Sequence, residues 1–300
     1  MRILRSARSF YVSRTRHDDA DIRVGRATGI ARKSLIMTLT LSTLLVVAAP
    51  ADALWIGSSW IPPAPCESWS APGKRVNIAY ARLASQPRDP SIFQKIKNDA
   101  AFVSEKFRQA GGKVVRWVCN SAAPGDVWVG EGIVSARTPD ACRDMYNRWG
   151  SNYADRINIC VGAGGGGWAK SWHSGDDSPG SKNRYNTGPS WAWVGDTGGG
   201  TLLHEFLHTI GAVQLSAPHS SGFWHCYDGN DWMCYKDGGP YFLGLDRILG
   251  TVDDLGMWIR CAGSLRIDCG RDDYFNPAPA AGSYLATHWN TYNSLFLRRP

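Results

Sequence analysis

The chain has 300 residues, 43% of them apolar, with 33 Lys+Arg against 26 Asp+Glu and a formal net charge of +7. Nine of the basic and four of the acidic side chains fall within positions 1–53, so the rest of the chain carries a net charge of only +2. No Lys/Arg run occurs there, which argues against nucleic acid or an anionic membrane as partner, and the length suits one sizeable core.

Positions 1–53 read as an export leader. A basic stretch ending in "ARKS" precedes the apolar run from Leu35 to Ala49, and "ADA" at Ala51 to Ala53 supplies a small-x-small cleavage pattern. The run is shorter than the about 20 residues a membrane span needs. The expected product is therefore a secreted chain of residues 54–300 with no stable membrane association. All eight cysteines lie in that part, and an even number in an exported chain points to disulfides. The close pairs Cys226/Cys234 and Cys261/Cys269 suggest local bridges, with Cys142/Cys160 and Cys66/Cys119 as the remainder. A thiolate zinc site is disfavoured because no CxxC spacing occurs.

In chain order, "RVNIAYARL" (Arg75 to Leu83) predicts a strand. Asp89 can cap a helix with Pro90 at its first position; Ile92, Ile96, Val103 and Phe107 share one face, and Gly111-Gly112 stops it. "KVVRWVCN", "DVWVG" and "RINICVG" are strand-like, and Thr138 to Gly150 reads as a short helix. Residues 162–200 read mostly as loop interrupted by "WAWVG", and neither glycine run has phosphate-loop spacing. "YLATHWNTYNSLFL" reads as a C-terminal helix. The order predicts an α/β chain with a mixed sheet.

"TLLHEFLHTIG" (Thr201 to Gly211) carries the chemistry. On a helix from about Thr201 to Ile210, His204 and His208 lie one turn apart on one face and can grip one ion, while Glu205 is rotated away by roughly 100°. Zinc lowers the pKa of a bound water toward about 7, and Glu205 can take the proton as the water attacks a peptide carbonyl. Gly211 suits a left-handed exit from the helix.

These residues, with "DWMCY" (Asp231 to Tyr235), resemble the metzincin clan of zinc endopeptidases. The resemblance implies a zincin-like fold with an upper subdomain over residues 75–211 and an irregular, disulfide-linked lower one over residues 212–300. It also implies a methionine turn at Met233, a Tyr235 that touches the metal or the transition state, and protein or peptide substrates. The chain departs from HExxHxxGxxH at the third ligand, where Gln214 replaces histidine. His225 is preferred, because a Cys226/Cys234 bridge would pin it beside Met233; His219 and Asp253 remain alternatives. Asp228 is a candidate for zinc or Ca2+, and "DCGRDD" for Ca2+, although the latter lacks the regular alternation of oxygen ligands. The rival class is a secreted carbohydrate-binding protein using some of the 14 tryptophans, such as Trp168/Trp172 and Trp191/Trp193, as platforms. A monomer is expected.

Overall fold

A computed structural model describes residues 54–56, 59–149, 156–164, 166–171, 175–195, 198–235, 237, 239 and 265–300. The leader, His173, Asp253 and Cys261 lie outside them. The first half of the chain contributes β1 (Leu54–Ile56), β2 (Ser59–Ile61), β3 (Cys66–Glu67), β4 (Arg75–Leu83), α1 (Ser91–Gly111), β5 (Val114–Val115), β6 (Trp117–Asn120), β7 (Ala123–Val127), β8 (Val129–Val134) and α2 (Pro139–Arg148). The second half contributes β9 (Arg156–Val161), β10 (Gly167–Ser171), β11 (Ser190–Val194), α3 (Gly199–Thr209) and β12 (Leu297–Arg298).

The main sheet runs β10-β11-β9-β4, with β8 and the β6-β3 pair beyond β4. Strand β4 is parallel to β9, β8 and β6, and β11 is parallel to β9. Among the described residues of this sheet, β10 on β11 and β7 on β6 are the antiparallel pairs, so the sheet is mixed. Val76, Ile78 and Tyr80 of β4 belong to a core shared with α1 and α3, whereas Ala79 and Ala81 belong to one shared with α2. A parallel central strand covered on both faces is apolar throughout, which is why this strand is buried from Arg75 to Ala81 rather than on alternate residues.

The sequence signals for α1, α2 and α3 match the structure to within a residue or two. α1 begins at Ser91, one position later than predicted, with its amide donating to the Asp89 carboxylate at 2.9 Å. It ends where Gly112 adopts φ +66, a conformation available to glycine without a Cβ clash. Ile96, Val103 and Phe107 are fully buried. The Thr138 hydroxyl caps α2 by accepting from the Ala141 amide at 3.2 Å.

Two expectations are corrected. "GWAKS", read as loop, is strand β10, because its backbone pairs residue for residue with Ser190–Val194. The C-terminal segment read as a helix forms one α-helical turn, Tyr284–Thr287, and a separate 3-10 turn, Thr291–Asn293. Tertiary partners take over beyond it: the Trp289 amide donates to the Asp177 carbonyl, its indole donates to the Ile210 carbonyl at 2.8 Å, and Leu297–Arg298 pair with β5. The disulfides Cys66–Cys119, Cys142–Cys160 and Cys226–Cys234 are formed, and Cys269 is also disulfide-bonded. Among the described residues no helix is long and apolar enough to cross a membrane.

Candidate metal centre

The site is built on α3, and two glycines explain how closely that helix is seated. α3 has no side-chain cap of its own; instead the Gly199 amide donates to the Asp99 carboxylate of α1. A Cβ at Gly199 would lie 2.5 Å from Phe102 Cδ1, and one at Gly200 would lie 2.8 Å from Trp232 Cζ3. Leu203, Phe206, Leu207 and Ile210 are fully buried, with Phe206 edge-on to Phe107 at 5.6 Å between ring centroids. That packing fixes the rotation of the helix and leaves His204 and His208 on the face turned toward the segment after it.

Gly211 has φ +83, and a Cβ there would meet the Tyr185 ring at 2.5 Å, so the chain leaves α3 through a position that only glycine fits. It returns fourteen residues later at His225, anchored by the Cys226–Cys234 bridge and by the Cys226 amide donating to the Met233 carbonyl at 3.1 Å. The Nε2 atoms of His204, His208 and His225 are 3.1, 3.1 and 3.3 Å apart. Two nitrogens bound at 2.0–2.1 Å to a tetrahedral zinc stand about 3.3–3.4 Å apart, so the three imidazoles are already close to the spacing of a three-nitrogen metal site.

Their protonation also suits a metal. The His204 Nδ1–H donates to the Trp232 carbonyl at 2.7 Å and the His225 Nδ1–H donates to Asp237 Oδ2 at 2.9 Å. Both bonds leave the Nε2 lone pair facing the centre. Burial, reinforced by the neighbouring His204 and His225 rings, holds His208 well below the usual histidine range and therefore neutral. Asp237 is itself well held, accepting from the Ser221 hydroxyl at 2.6 Å and the Gly239 amide at 2.7 Å. Burial pushes its carboxyl up, but these bonds and the one from His225 outweigh that and keep it low and ionised. Asp237 was missed in the sequence; the available signal was that a ligating histidine needs a carboxylate or carbonyl partner and that an aspartate follows Tyr235 by two.

Glu205 is 4% exposed, and burial pushes its carboxyl up to about 8. Its Oε2 is buried with no hydrogen-bond partner among the described residues. The Tyr235 ring lies 4.3 Å from that of His225 and 5.8 Å from that of His204. Burial, then the negative charges of Asp237 and Glu205, raise its phenol above the usual tyrosine value, so it remains a donor. Met233 is fully buried in the main core with Leu203, Phe206 and Leu207 of α3; its amide donates to Asp231 Oδ1 at 2.7 Å.

The other sequence candidates lie elsewhere. Gln214 is buried and its amide nitrogen donates to the Gly211 carbonyl at 2.8 Å. His219 is 3.1 Å from both carboxylate oxygens of Asp273 and belongs, with Asp228 and Asp272, to a second group whose donors could hold a cation. That group joins Asp228 to the "DCGRDD" stretch. Cys226, Asp231 and Cys234 also cluster, but both sulfurs are spent in a disulfide. His288 stacks on Tyr284 at 4.3 Å. Of the tryptophans considered as platforms, Trp191 and Trp193 are buried and Trp168 is half exposed; Trp172 lies outside the described residues. Comparisons with protein-family models, curated proteins and solved structures gave no match.

Proposed function

We propose that this chain is an exported zinc endopeptidase of metzincin-like, zincin-type architecture, in which His204, His208 and His225 hold the metal and Glu205 is the general acid/base. One observation carries the reading: three convergent Nε2 atoms 3.1–3.3 Å apart, with a buried carboxylate bearing a partnerless oxygen supplied by the next residue of the same helix. Burying an unpaired carboxylate oxygen is costly. A structural metal site has no use for one, whereas hydrolysis does.

When bound, zinc supplies Lewis-acid polarisation and lowers the pKa of water. Glu205 takes a proton from the attacking water as the water oxygen adds to the scissile carbonyl carbon. It delivers that proton to the amide nitrogen as the C–N bond breaks, so one water is consumed and the base is regenerated. The Tyr235 phenol, kept protonated, donates toward the carbonyl oxygen as negative charge develops there. Among the described residues β10 is the antiparallel last strand of the sheet, with Gly167, Trp168 and Lys170 exposed. An extended peptide laid against such an edge gains backbone hydrogen bonds, which favours a protein or peptide substrate over a glycan. The His219 group is the place in this reading for a Ca2+.

The test is metal content and proteolysis of the purified wild type, His225→Ala and Glu205→Gln. About one zinc per chain in the wild type, a large loss in His225→Ala, and zinc without proteolysis in Glu205→Gln are expected. Zinc retained by His225→Ala would exclude this ligand set, and full proteolysis by Glu205→Gln would exclude the mechanism.

A further inference from the structure

We infer that Gly167 is a positioning residue for Glu205: the side chain it lacks leaves the space in which the carboxylate lies. The inference about catalysis rests on the endopeptidase reading above, whereas the seating of Glu205 does not. A Cβ built on Gly167 would clash with Oε1 of Glu205 and stand 2.5 Å from its Cγ and 2.6 Å from its Cδ. Real Cβ atoms do not approach heavy atoms so closely, and the overlap involves three consecutive groups of one side chain rather than its tip alone. Gly167 does not have the positive φ that would call for glycine on backbone grounds. Its conformation is that of an ordinary strand residue paired with Val194, where glycine is destabilising relative to alanine. What glycine provides at this position is space.

The consequence is geometric. Glu205 is buried between α3 and β10; with any larger residue at 167 its carboxylate must rotate out of the place it now holds, one residue from His204 and close enough to Tyr235 to raise that phenol. The three heavy atoms nearest the missing side chain all belong to Glu205 and none to an imidazole, so the inference predicts that the metal group is kept. A misplaced general base with an intact metal centre lowers kcat without loss of zinc. β10 thereby has two tasks at one residue, exposing its edge to solvent and seating the base behind it.

The experiment is a double-mutant cycle on the purified, zinc-loaded protein: wild type, Gly167→Ala, Glu205→Ala and the double variant, with zinc content, melting temperature and peptide hydrolysis measured for each. Gly167→Ala is expected to keep one zinc per chain and lower kcat at least tenfold, with KM within about threefold. In melting temperature it is expected to destabilise when Glu205 is present and to be neutral or stabilising in the Glu205→Ala background, where the overlapping carboxylate is gone, a coupling of about 2 °C or more. Additive melting shifts would overturn the inference, as would zinc loss in Gly167→Ala or unchanged kcat. A wild type that hydrolyses no peptide would remove the endopeptidase reading, and the melting cycle would still decide whether Gly167 seats Glu205.

Discussion

His225 Nδ1 and Asp237 Oδ2 are 2.9 Å apart, and this bond aims the one histidine of the site that does not lie on α3. His204 and His208 are oriented by a packed helix; His225 sits in irregular chain and needs a partner to fix its tautomer and ring plane. Asp237→Ala is therefore expected to weaken zinc binding about 10–100-fold, measured by competition with a chelator of known affinity. Unchanged affinity would mean that the Cys226–Cys234 bridge alone positions His225.

Tyr235→Phe removes one hydroxyl and keeps the ring that packs 4.3 Å from His225. If the phenol stabilises developing negative charge, kcat falls by about 10²-fold while KM and zinc content stay near wild type. A loss of zinc with no change in turnover per bound metal would instead assign Tyr235 to packing around His225.

Met233 is fully buried, and its backbone ties the Cys226 amide to the Asp231 carboxylate. Those bonds survive substitution, so only side-chain volume is at stake. Met233→Leu is expected to cost less than about 1.5 kcal/mol and Met233→Ala about 2–5 kcal/mol, read from urea unfolding of the zinc-loaded protein. A cost below 1 kcal/mol (roughly one buried methylene) for Met233→Ala would show that the core around Met233 is not close-packed.

What the sequence made legible follows the range of the interactions. His204, Glu205 and His208 are set by helical spacing, a local rule, and Gly211 and Gly112 announce left-handed exits that only glycine makes easily. His225 was accessible through cysteine arithmetic, because a bridge from Cys226 to Cys234 ties the residue before Cys226 to the turn that carries Met233. Asp237 and Gly167 were not accessible. One is an ordinary acidic loop residue until the fold brings it under an imidazole. The other lies in a glycine-rich stretch whose strand character comes from its neighbour β11, not from its own residues. The C-terminal segment has helical apolar spacing, but Trp289 gains more from its bond to the Ile210 carbonyl and from burial than from another turn.

Asp99 links pH to the seating of α3. Burial pushes its carboxyl up to about 7, against the opposing influences of Lys95 and the Gly199 amide. An unfolded aspartate titrates near 3.9, so between about pH 4 and 7 the folded state holds a proton that the unfolded state has lost. Its contribution to stability is complete below about pH 4 and disappears as pH rises through about 7. His208 works in the opposite sense in the metal-free protein, because its lowered pKa favours folding above the ordinary histidine range, so the pH profile of the wild type alone is not diagnostic. The difference from Asp99→Asn is. Asparagine keeps an oxygen to accept from Gly199 and removes the titration. Relative to wild type, the chelated variant is expected to gain stability as pH rises from 4 to 7, by up to about 1.4 kcal/mol per pH unit. Urea unfolding at pH 4, 5, 6, 7 and 8 measures it, and parallel profiles for the two proteins would mean that Asp99 ionises normally despite its burial.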